Sequence, residues 1–197
     1  MTKSKITIAA LITIMAIMLS ACGKKVEGAF IGDWAYVHET TKTVLALNDN
    51  GKAEYLGDSY KYTADDDFLY LESSKENIKL RYRMDGEKLY IYQTTEYTYD
   101  GEGNPSDIIG NWVCTEKKWS FEFTEEGTFK EDGYFPGYYT VDEEAGTVKL
   151  IYNDHFEDTS FYYVLDGNKL TIEYPWETVR TQTEEEANAK TDTKAER

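Results

Sequence analysis

The sequence has few of the residues from which catalytic and metal centres are usually built. Only two Cys and two His occur among 197 residues, whereas a zinc site needs three or four His, Cys or carboxylate ligands. His38 and His155 do not occupy matching positions of the repeat described below, and no motif of a serine hydrolase, a zinc protease or a phosphate-binding loop occurs. We therefore expect no enzyme, no catalytic or metal-binding residue and no cofactor.

Basic residues are also scarce, because 21 Lys and Arg face 37 Asp and Glu, for a net charge of -16. Proteins that bind nucleic acid need a positive surface, since their affinity comes from neutralised phosphates. This composition excludes nucleic acid as a partner. Aromatic residues, in contrast, make up 15% of the chain, with 17 Tyr among them. Disordered acidic chains are poor in aromatics, so the composition predicts a packed core.

No apolar run is long enough to span a bilayer. Residues 6–19 form an uncharged apolar stretch after Lys3 and Lys5, whereas a spanning helix needs about 20 residues. We interpret residues 1–21 as a signal peptide. It ends in Leu-Ser-Ala-Cys at residues 19–22, a pattern that resembles the lipobox of bacterial lipoproteins.

The lipobox resemblance implies that Cys22 carries a diacylglycerol and becomes the first residue of the mature chain. The protein would then be a lipoprotein held at the extracytoplasmic face of the cell membrane, with residues 22–30 as the lipidated Cys and a spacer. An ordinary secretory signal with a chance Cys is the alternative. Lipidation would leave Cys114 as a lone thiol, for which a buried apolar state is favoured over a nucleophilic one because no His lies near it in the sequence.

The remaining chain contains two copies of one unit. The segments that correspond, with offsets of 76 to 81 residues, are 30–36 with 108–114, 45–51 with 121–127, 62–65 with 139–142, and 80–91 with 161–172. The offsets change only in predicted loops, where a duplicated fold tolerates insertions. The repeat predicts β domains at 31–98 and 109–183, a linker at 99–108 and a disordered charged tail at 184–197.

Both units have the patterns of an all-β fold. Polar and apolar residues alternate in 79–84, 119–123 and 169–174, as in strands with one buried face. The pairs Asn50-Gly51, Asp85-Gly86 and Asp166-Gly167 separate such runs and are typical of hairpin turns. About seven strands in each unit predict two tandem antiparallel meanders that curl into barrels. The patterns leave open whether the units form separate barrels or one joint sheet.

The segments Gly32-Asp33-Trp34 and Gly110-Asn111-Trp112 resemble the Gly-x-Trp motif that opens the barrel of lipocalins. The later patterns of each unit are similar to short lipocalin-like domains of bacterial surface lipoproteins. The resemblance implies that each Trp packs across a closed barrel end, with an Arg from a late strand stacked on it. Arg180 is the candidate in the second unit, and residues 94–98 of the first unit offer none. As an alternative, both Trp residues are plain core residues.

Charged residues of two segments have structural and functional interpretations. Residues 65–67 and 142–144 are acidic and occupy the same turn of each unit, where solvated turn charges are favoured over a calcium site. Lys79, Arg81 and Arg83 share one face of a predicted strand. They could meet an anionic polymer, but ion pairs with acidic residues on adjacent strands are favoured.

A turn rich in aromatics is the most suggestive binding feature. Tyr134, Phe135, Tyr138 and Tyr139 lie in a segment that also contains two Gly and a Pro. Tyr offers a rigid apolar face with a polar tip, which suits recognition. We predict these four residues as a possible ligand-binding group. The alternative is that Tyr138 or Tyr139 begins a strand and turns inward.

These observations predict a monomeric, membrane-anchored protein that binds a small ligand or a surface partner without catalysis. Aromatic side chains should fill a small barrel, so a ligand would sit at a barrel mouth or in the groove between the units. The alternative function is a structural or envelope protein-interaction module with no small-molecule ligand.

Overall fold

The computed structural model describes residue 28 and residues 30–153 and 156–186. The predicted signal peptide, Cys22, nearly all of the spacer and His155 lie outside the described residues. The predicted all-β class is confirmed, because the described chain forms antiparallel strands joined mostly by short turns. The strands are β1 (Gly32–Tyr36), β2 (Thr43–Leu47), β3 (Lys52–Tyr55), β4 (Asp58–Ala64), β5 (Phe68–Glu72), β6 (Asn77–Asp85), β7 (Lys88–Tyr99), β8 (Gly110–Cys114), β9 (Trp119–Phe123), β10 (Thr128–Glu131), β11 (Phe135–Asp142), β12 (Thr147–Tyr152), β13 (Thr159–Asp166) and β14 (Lys169–Arg180).

All of these strands belong to one continuous sheet that closes on itself. Each strand pairs with the next in sequence, and the ring closes where β1 pairs with β14. An additional antiparallel pairing joins β7 to β14 over ten residue pairs, from Leu89 opposite Thr178 to Thr98 opposite Lys169. The two units therefore share one joint sheet, which is the possibility that the sequence patterns left open.

The two longest strands, β7 and β14, each pass from one half of the sheet into the other. The first half of β7 pairs with β6, and its last two residues pair with β8. The first half of β14 pairs with β13, and its end pairs with β1. The pairing therefore closes a first ring from β1–β6 with the first half of β7 and the second half of β14. It closes a second ring from β8–β13 with the second half of β7 and the first half of β14.

The exchange between the halves follows an approximate two-fold symmetry. Gln93 lies opposite Tyr174 in the central ladder, and these residues are equivalent by the 81-residue offset of the repeat. An antiparallel ladder in which equivalent residues face each other is symmetric about that pair. Each unit thus supplies the strand segment that closes the ring of the other.

Each ring encloses its own hydrophobic core. The first core includes Trp34, Leu45 and Leu89, and Trp176 of β14 packs against it. The second core includes five buried rings from its own strands and Tyr97 of β7. Because one face of the β7–β14 ribbon contributes to both cores, each unit needs a strand of the other to complete its interior. The prediction of two separate domains stays a prediction.

The predicted turns are confirmed where Gly follows Asn or Asp. Gly51, Gly86 and Gly167 all have positive φ values, of 76°, 60° and 61°, which only Gly adopts without a steric penalty. The predicted linker is shorter than expected at its start, because Tyr99 is the last residue of β7. Residues 184–186, in the predicted tail, form one helical turn in which Thr183 Oγ1 accepts a hydrogen bond from the Glu186 amide.

Both Gly-x-Trp segments have the same local geometry. The indole Nε1 of Trp34 donates to the Phe30 carbonyl at 2.8 Å, and that of Trp112 donates to the Ile108 carbonyl at 2.7 Å. Both rings are almost fully buried. Each Trp is therefore a core residue with a satisfied polar tip, held by the segment just before its strand.

The residue that packs against each Trp comes from a strand that crosses over from the other unit. The guanidinium of Arg180 lies 3.9 Å from the ring centroid of Trp34, and its Nη1 donates to the Ile31 carbonyl at 2.6 Å. The prediction that Arg180 serves the second unit was wrong, because β14 crosses into the first ring before it ends. Tyr99, the equivalent residue of β7, instead packs on Trp112 with ring centroids 5.3 Å apart.

The Gly of each motif makes room for that stacked side chain. A Cβ on Gly32 would lie 2.3 Å from Arg180 Nη1, and one on Gly110 would lie 2.4 Å from the Tyr99 ring. Both glycines also have positive φ values, of 129° and 126°. The Gly-x-Trp pattern is thus explained by a close approach from the strand of the opposite unit.

Candidate functional site

A cleft of about 660 Å³ lies between one end of the second ring and the outer face of the first. Strand ends of the second ring form one side, at Glu131, Tyr152 and Thr159. The other side is the outer face of β6 and β7, at Arg83 and Tyr90. The cleft exists because β7 and β14 hold the two rings side by side.

A hydrogen-bonded carboxylate lies at the second-ring side of the cleft. Tyr152 Oη donates to Glu131 Oε2 at 2.5 Å, and the nearby Tyr174 hydroxyl interacts electrostatically with Tyr152 and Glu131. Burial raises the pKa of the Glu131 carboxyl, and the nearby charge of Asp132 raises it further, while the Tyr152 hydrogen bond opposes the shift. Burial also raises the pKa values of Tyr152 and Tyr174, so both hydroxyls stay protonated at neutral pH.

Aromatic rings line the same cleft as this carboxylate. Phe135 lies opposite Glu131 in the β10–β11 ladder and meets Phe156 edge to face, with centroids 5.0 Å apart. Phe156 also packs on Tyr152 at 5.6 Å. Phe156 lies in the connection between β12 and β13, and Phe135 begins β11, so a strand end and a connection of the second ring place apolar rings at the same cleft as the acid.

Charged pairs occupy the first-ring side of the cleft. The Arg83 guanidinium lies 4.4 Å from the ring centroid of Tyr90 and 3.4 Å from Asp85. Glu177 accepts hydrogen bonds from Tyr90 at 3.2 Å and pairs with Lys88 at 2.8 Å. The cations at this side therefore have partners within the protein.

The four aromatics predicted from the sequence do not form one group. Phe135 begins β11 and lines the cleft. Tyr134 lies in the preceding turn with 82% of its surface exposed, and Tyr138 is 56% exposed on the outer face of β11. Tyr139 turns inward, packs on Phe123 in the second core and donates to the Thr124 carbonyl at 2.9 Å. Whether any of them binds a ligand stays a prediction.

The equivalent end of the first ring has a neutral cluster. Tyr55, the counterpart of Glu131 by the repeat, interacts with Gln93, the counterpart of Tyr174. The Gln93 amide also donates to the Tyr36 hydroxyl, whose pKa is raised to about 12, chiefly by burial. The acidic site is therefore specific to the second unit.

The basic strip of β6 is used within the sheet. Arg81 pairs with Glu173 of β14 at 2.6 Å and lies 3.9 Å from the Tyr162 ring centroid, so it joins the two units. The Lys79 ammonium lies 3.7 Å from the Phe68 ring centroid. Arg81 thus pairs with an acid of β14, which is not adjacent to β6, and Lys79 contacts a ring, so ion pairs between adjacent strands are not what holds these two residues.

The other side chains considered from the sequence have structural surroundings. Cys114 is free and buried, and His38 stacks on Tyr36. Asp65 Oδ1 accepts hydrogen bonds from the amides of Asp67 and Phe68, as a turn-forming carboxylate does. In the described part of the chain, no group of three or more His, Cys, Asp or Glu has the geometry to hold a metal ion.

Sequence reasoning missed Glu131, Tyr152 and Tyr174, although one signal was available. Glu131 has the same parity in β10 as the buried Phe129, so alternation alone directs an acid toward the interior. Its partners come from β12 and β14, and no local pattern indicates that these strands lie beside it.

Comparisons with known proteins add no relative. The chain matches no protein-family model, no curated protein and no solved structure. Within the residues that the structure describes, no helix is long and apolar enough to cross a bilayer.

Proposed function

We propose that this protein is a lipid-anchored extracytoplasmic lipoprotein that binds a small ligand, without catalysis, in the cleft between two lipocalin-like units. The cleft is the observation on which the proposal rests. Its volume of about 660 Å³ falls within the roughly 300–1,000 Å³ range of small-molecule sites. Its lining combines aromatic faces with a few polar groups, as such sites commonly do.

The filled cores support binding at this position rather than inside a ring. Phe121 packs against both Phe123 and Phe161 in the second core, and Trp34 with several Leu residues fills the first. A ligand inside either ring would have to displace close-packed side chains, which is costly. The cleft accepts a ligand without that cost.

Binding in the cleft can be tested with Nile red, an uncharged dye that fluoresces in apolar surroundings. The full-length protein in maltoside micelles, corrected for the dye taken up by micelles alone, should bind it. Phe135→Ser should weaken binding several-fold, because this ring lines the cleft. Tyr138→Ser is the matched control, since Tyr138 is an exposed aromatic of the same strand outside the cleft. Equal dye binding by both variants would contradict the proposed site.

Native mass spectrometry of the gently purified protein provides a second measurement. A co-purifying small molecule that is lost in Phe135→Ser supports the proposal. A bare mass, together with no Nile red uptake beyond that of the micelles, would refute ligand binding of the lipocalin type.

The lipid anchor is supported by the lipobox resemblance of residues 19–22 and is tested separately. Cys22→Ser should abolish acylation, so most of the protein should move from the membrane fraction to the soluble fraction. Retention of the variant in the membrane fraction would contradict anchoring through Cys22.

A second candidate function is an envelope protein-interaction module without a small ligand. The exposed rings of Tyr134 and Tyr138 favour it, because large aromatics that stay outside the core often serve protein contacts. In cross-linking on intact cells, Tyr138→Ser would then lose a specific adduct that Phe135→Ser retains. The reverse pattern would favour the cleft.

A further inference from the structure

Some charged side chains at the cleft form ion pairs within the protein, and others do not. Arg83 lies beside Asp85, Lys88 pairs with Glu177, and Lys149 pairs with Asp158 at 3.1 Å. Two lining acids, Glu131 and the exposed Glu157, form no ion pair with a described Lys or Arg, and the hydrogen bond of Glu131 comes from the neutral Tyr152 hydroxyl. The second-ring side of the cleft therefore holds a partly buried acid without a counter-cation.

The aromatic rings of the chain also differ in whether a cation lies over them. Elsewhere in this chain, cations lie over exposed or half-buried rings, as Lys79 does over Phe68 and Arg83 over Tyr90. Among the described residues, no Lys or Arg lies over the rings of Phe135 or Phe156. Phe135 is 39% exposed and Phe156 is 55% exposed, and Phe135 lies opposite Glu131 in the sheet.

We propose that the cleft binds an organic cation, whose ammonium group lies between the Glu131 carboxylate and the rings of Phe135 and Phe156. This inference rests on the proposed function, since it names the class of ligand for the same cleft. A carboxylate attracts an ammonium group by charge, and ring faces attract it through their quadrupoles, most strongly where water is partly excluded. Together they favour a cation over a neutral molecule of the same shape.

The electrostatic surroundings of Glu131 support this assignment. Burial raises the pKa of its carboxyl, so ionisation is costly in the empty cleft, and a bound cation offsets that cost. The titratable groups that interact with it are Asp132, Tyr152, Tyr174 and Tyr97. None of these four can supply a positive charge, so the ligand does.

The size of the cleft indicates that the ammonium group is one end of a larger ligand. A volume of 660 Å³ exceeds what a small alkylammonium fills. The apolar body of the ligand would extend along Tyr90, Tyr92 and Pro175, which continue the lining toward the first ring.

Matched pairs of small molecules test the charge requirement directly. Choline and its uncharged carbon isostere 3,3-dimethylbutan-1-ol form one pair, and cadaverine and pentane-1,5-diol form another. Each is titrated into the full-length, isotope-labelled protein in maltoside micelles at pH 7, with binding followed by amide chemical shifts. We expect the cation of at least one pair to bind about tenfold more tightly than its neutral partner, with shifts at Glu131, Phe135 and Phe156.

Two variants identify the groups responsible. Glu131→Gln keeps the shape of the side chain and should remove most of the cation's advantage, whereas Glu122→Gln, on the outer face of the adjacent β9, should retain it. Phe156→Leu should weaken the cation several-fold more than its neutral isostere. Amide spectra that match the parent protein establish that the variants are folded.

The outcomes separate this inference from the proposed function. Neutral isosteres that bind as tightly as the cations, cations that shift residues away from the cleft, or an unchanged preference in Glu131→Gln would each overturn the cation assignment. Failure of all four molecules to bind would overturn it too. In each case, Nile red binding that depends on Phe135 would leave cleft binding intact.

Discussion

The two rings close in the same way but with different side chains. In both, a Gly with positive φ allows a side chain from the other unit to lie over a buried Trp. The first ring uses the Arg180 guanidinium and the second uses the Tyr99 ring. The backbone geometry of this closure is thus shared by the two units, while a flexible cation and a rigid aromatic ring serve equally as the closing group.

The ring ends that contain Glu131 and its counterpart Tyr55 differ more than the ends at which the Trp residues lie. Glu131, with its hydroxyl partner, stands in the second ring where the first has the neutral pair Tyr55 and Gln93. The connection between β12 and β13 is two residues longer than that between β5 and β6, and it places Phe156 against the cleft. The two units therefore share one scaffold, while one end of the second unit carries a partly buried acid that the first unit lacks.

The largest expected effect tests whether the rings are energetically independent. Trp34→Ala and Trp112→Ala should each lower the free energy of unfolding by about 3–5 kcal/mol. Because ten residue pairs of β7 and β14 join the rings, each variant should still unfold in one urea transition, monitored by circular dichroism and fluorescence together.

Two separate transitions, with the untouched ring keeping its original midpoint, would show that the units are independent domains. If an Ala variant does not fold, the corresponding Trp→Phe change provides a milder version of the same comparison.

The next effect distinguishes the two closing groups. Gly32→Ala and Gly110→Ala should each lower the free energy of unfolding by about 1–3 kcal/mol, because Ala is strained at these positive φ values. Gly110→Ala should lose about 1–3 kcal/mol more through overpacking, because the Tyr99 ring is held against Trp112, whereas the end of the Arg180 side chain can move.

Gly57→Ala is the control for this pair, since Gly57 has a φ of 90° and open space around its Cα. It should show the backbone cost alone. Equal losses of stability in Gly32→Ala and Gly110→Ala would mean that the Tyr99 ring adapts as readily as the Arg180 guanidinium.

A smaller effect concerns Glu131, the partly buried acid of the second ring. The folded-state pKa of Glu131 is raised by burial, so its favourable contribution is present below the unfolded-state pKa and is lost as pH rises through the folded-state value. Glu131→Gln has no ionisable group at this position, so its stability does not fall with pH in this way. Relative to the parent protein, its free energy of unfolding should therefore increase between pH 4 and pH 7.

Urea denaturation at several pH values measures this difference. Glu122→Gln removes one acid from the same region of the sheet and controls for the change in net charge. A stability difference for Glu131→Gln that does not vary with pH would contradict the raised pKa.

The smallest expected effect lies in a pair of equivalent turns. Leu56 and Asp132 both have a φ of 51°, a left-handed conformation that Asp and Asn tolerate better than Leu. Leu56→Asn should therefore stabilise the protein by about 0.5–1 kcal/mol, as measured by the urea midpoint. Asp132→Leu should destabilise it by more, because it also removes the 2.7 Å hydrogen bond that the Ser120 amide donates to the Asp132 carboxylate.

Local patterns in the sequence predicted much of the fold. Alternation identified β6, β9 and β14, and Gly after Asn or Asp located the hairpin turns, because each of these features depends on residues close together in the chain. The four aromatics near residue 135 were predicted as one group, yet they point in three directions. In a strand, adjacent residues face opposite sides, and the sequence did not show that β11 begins at Phe135.

The sequence by itself determined the all-β class, the duplication and the places where the chain turns. Only the tertiary structure decided that β7 and β14 exchange between the rings, that Arg180 stacks on Trp34 rather than Trp112, and that Glu131 meets Tyr152 at a cleft. Alternation specifies which face of a strand is buried but not which distant strand lies beside it. That choice depends on contacts between residues as far apart as Ile31 and Arg180, which form only when the whole sheet closes.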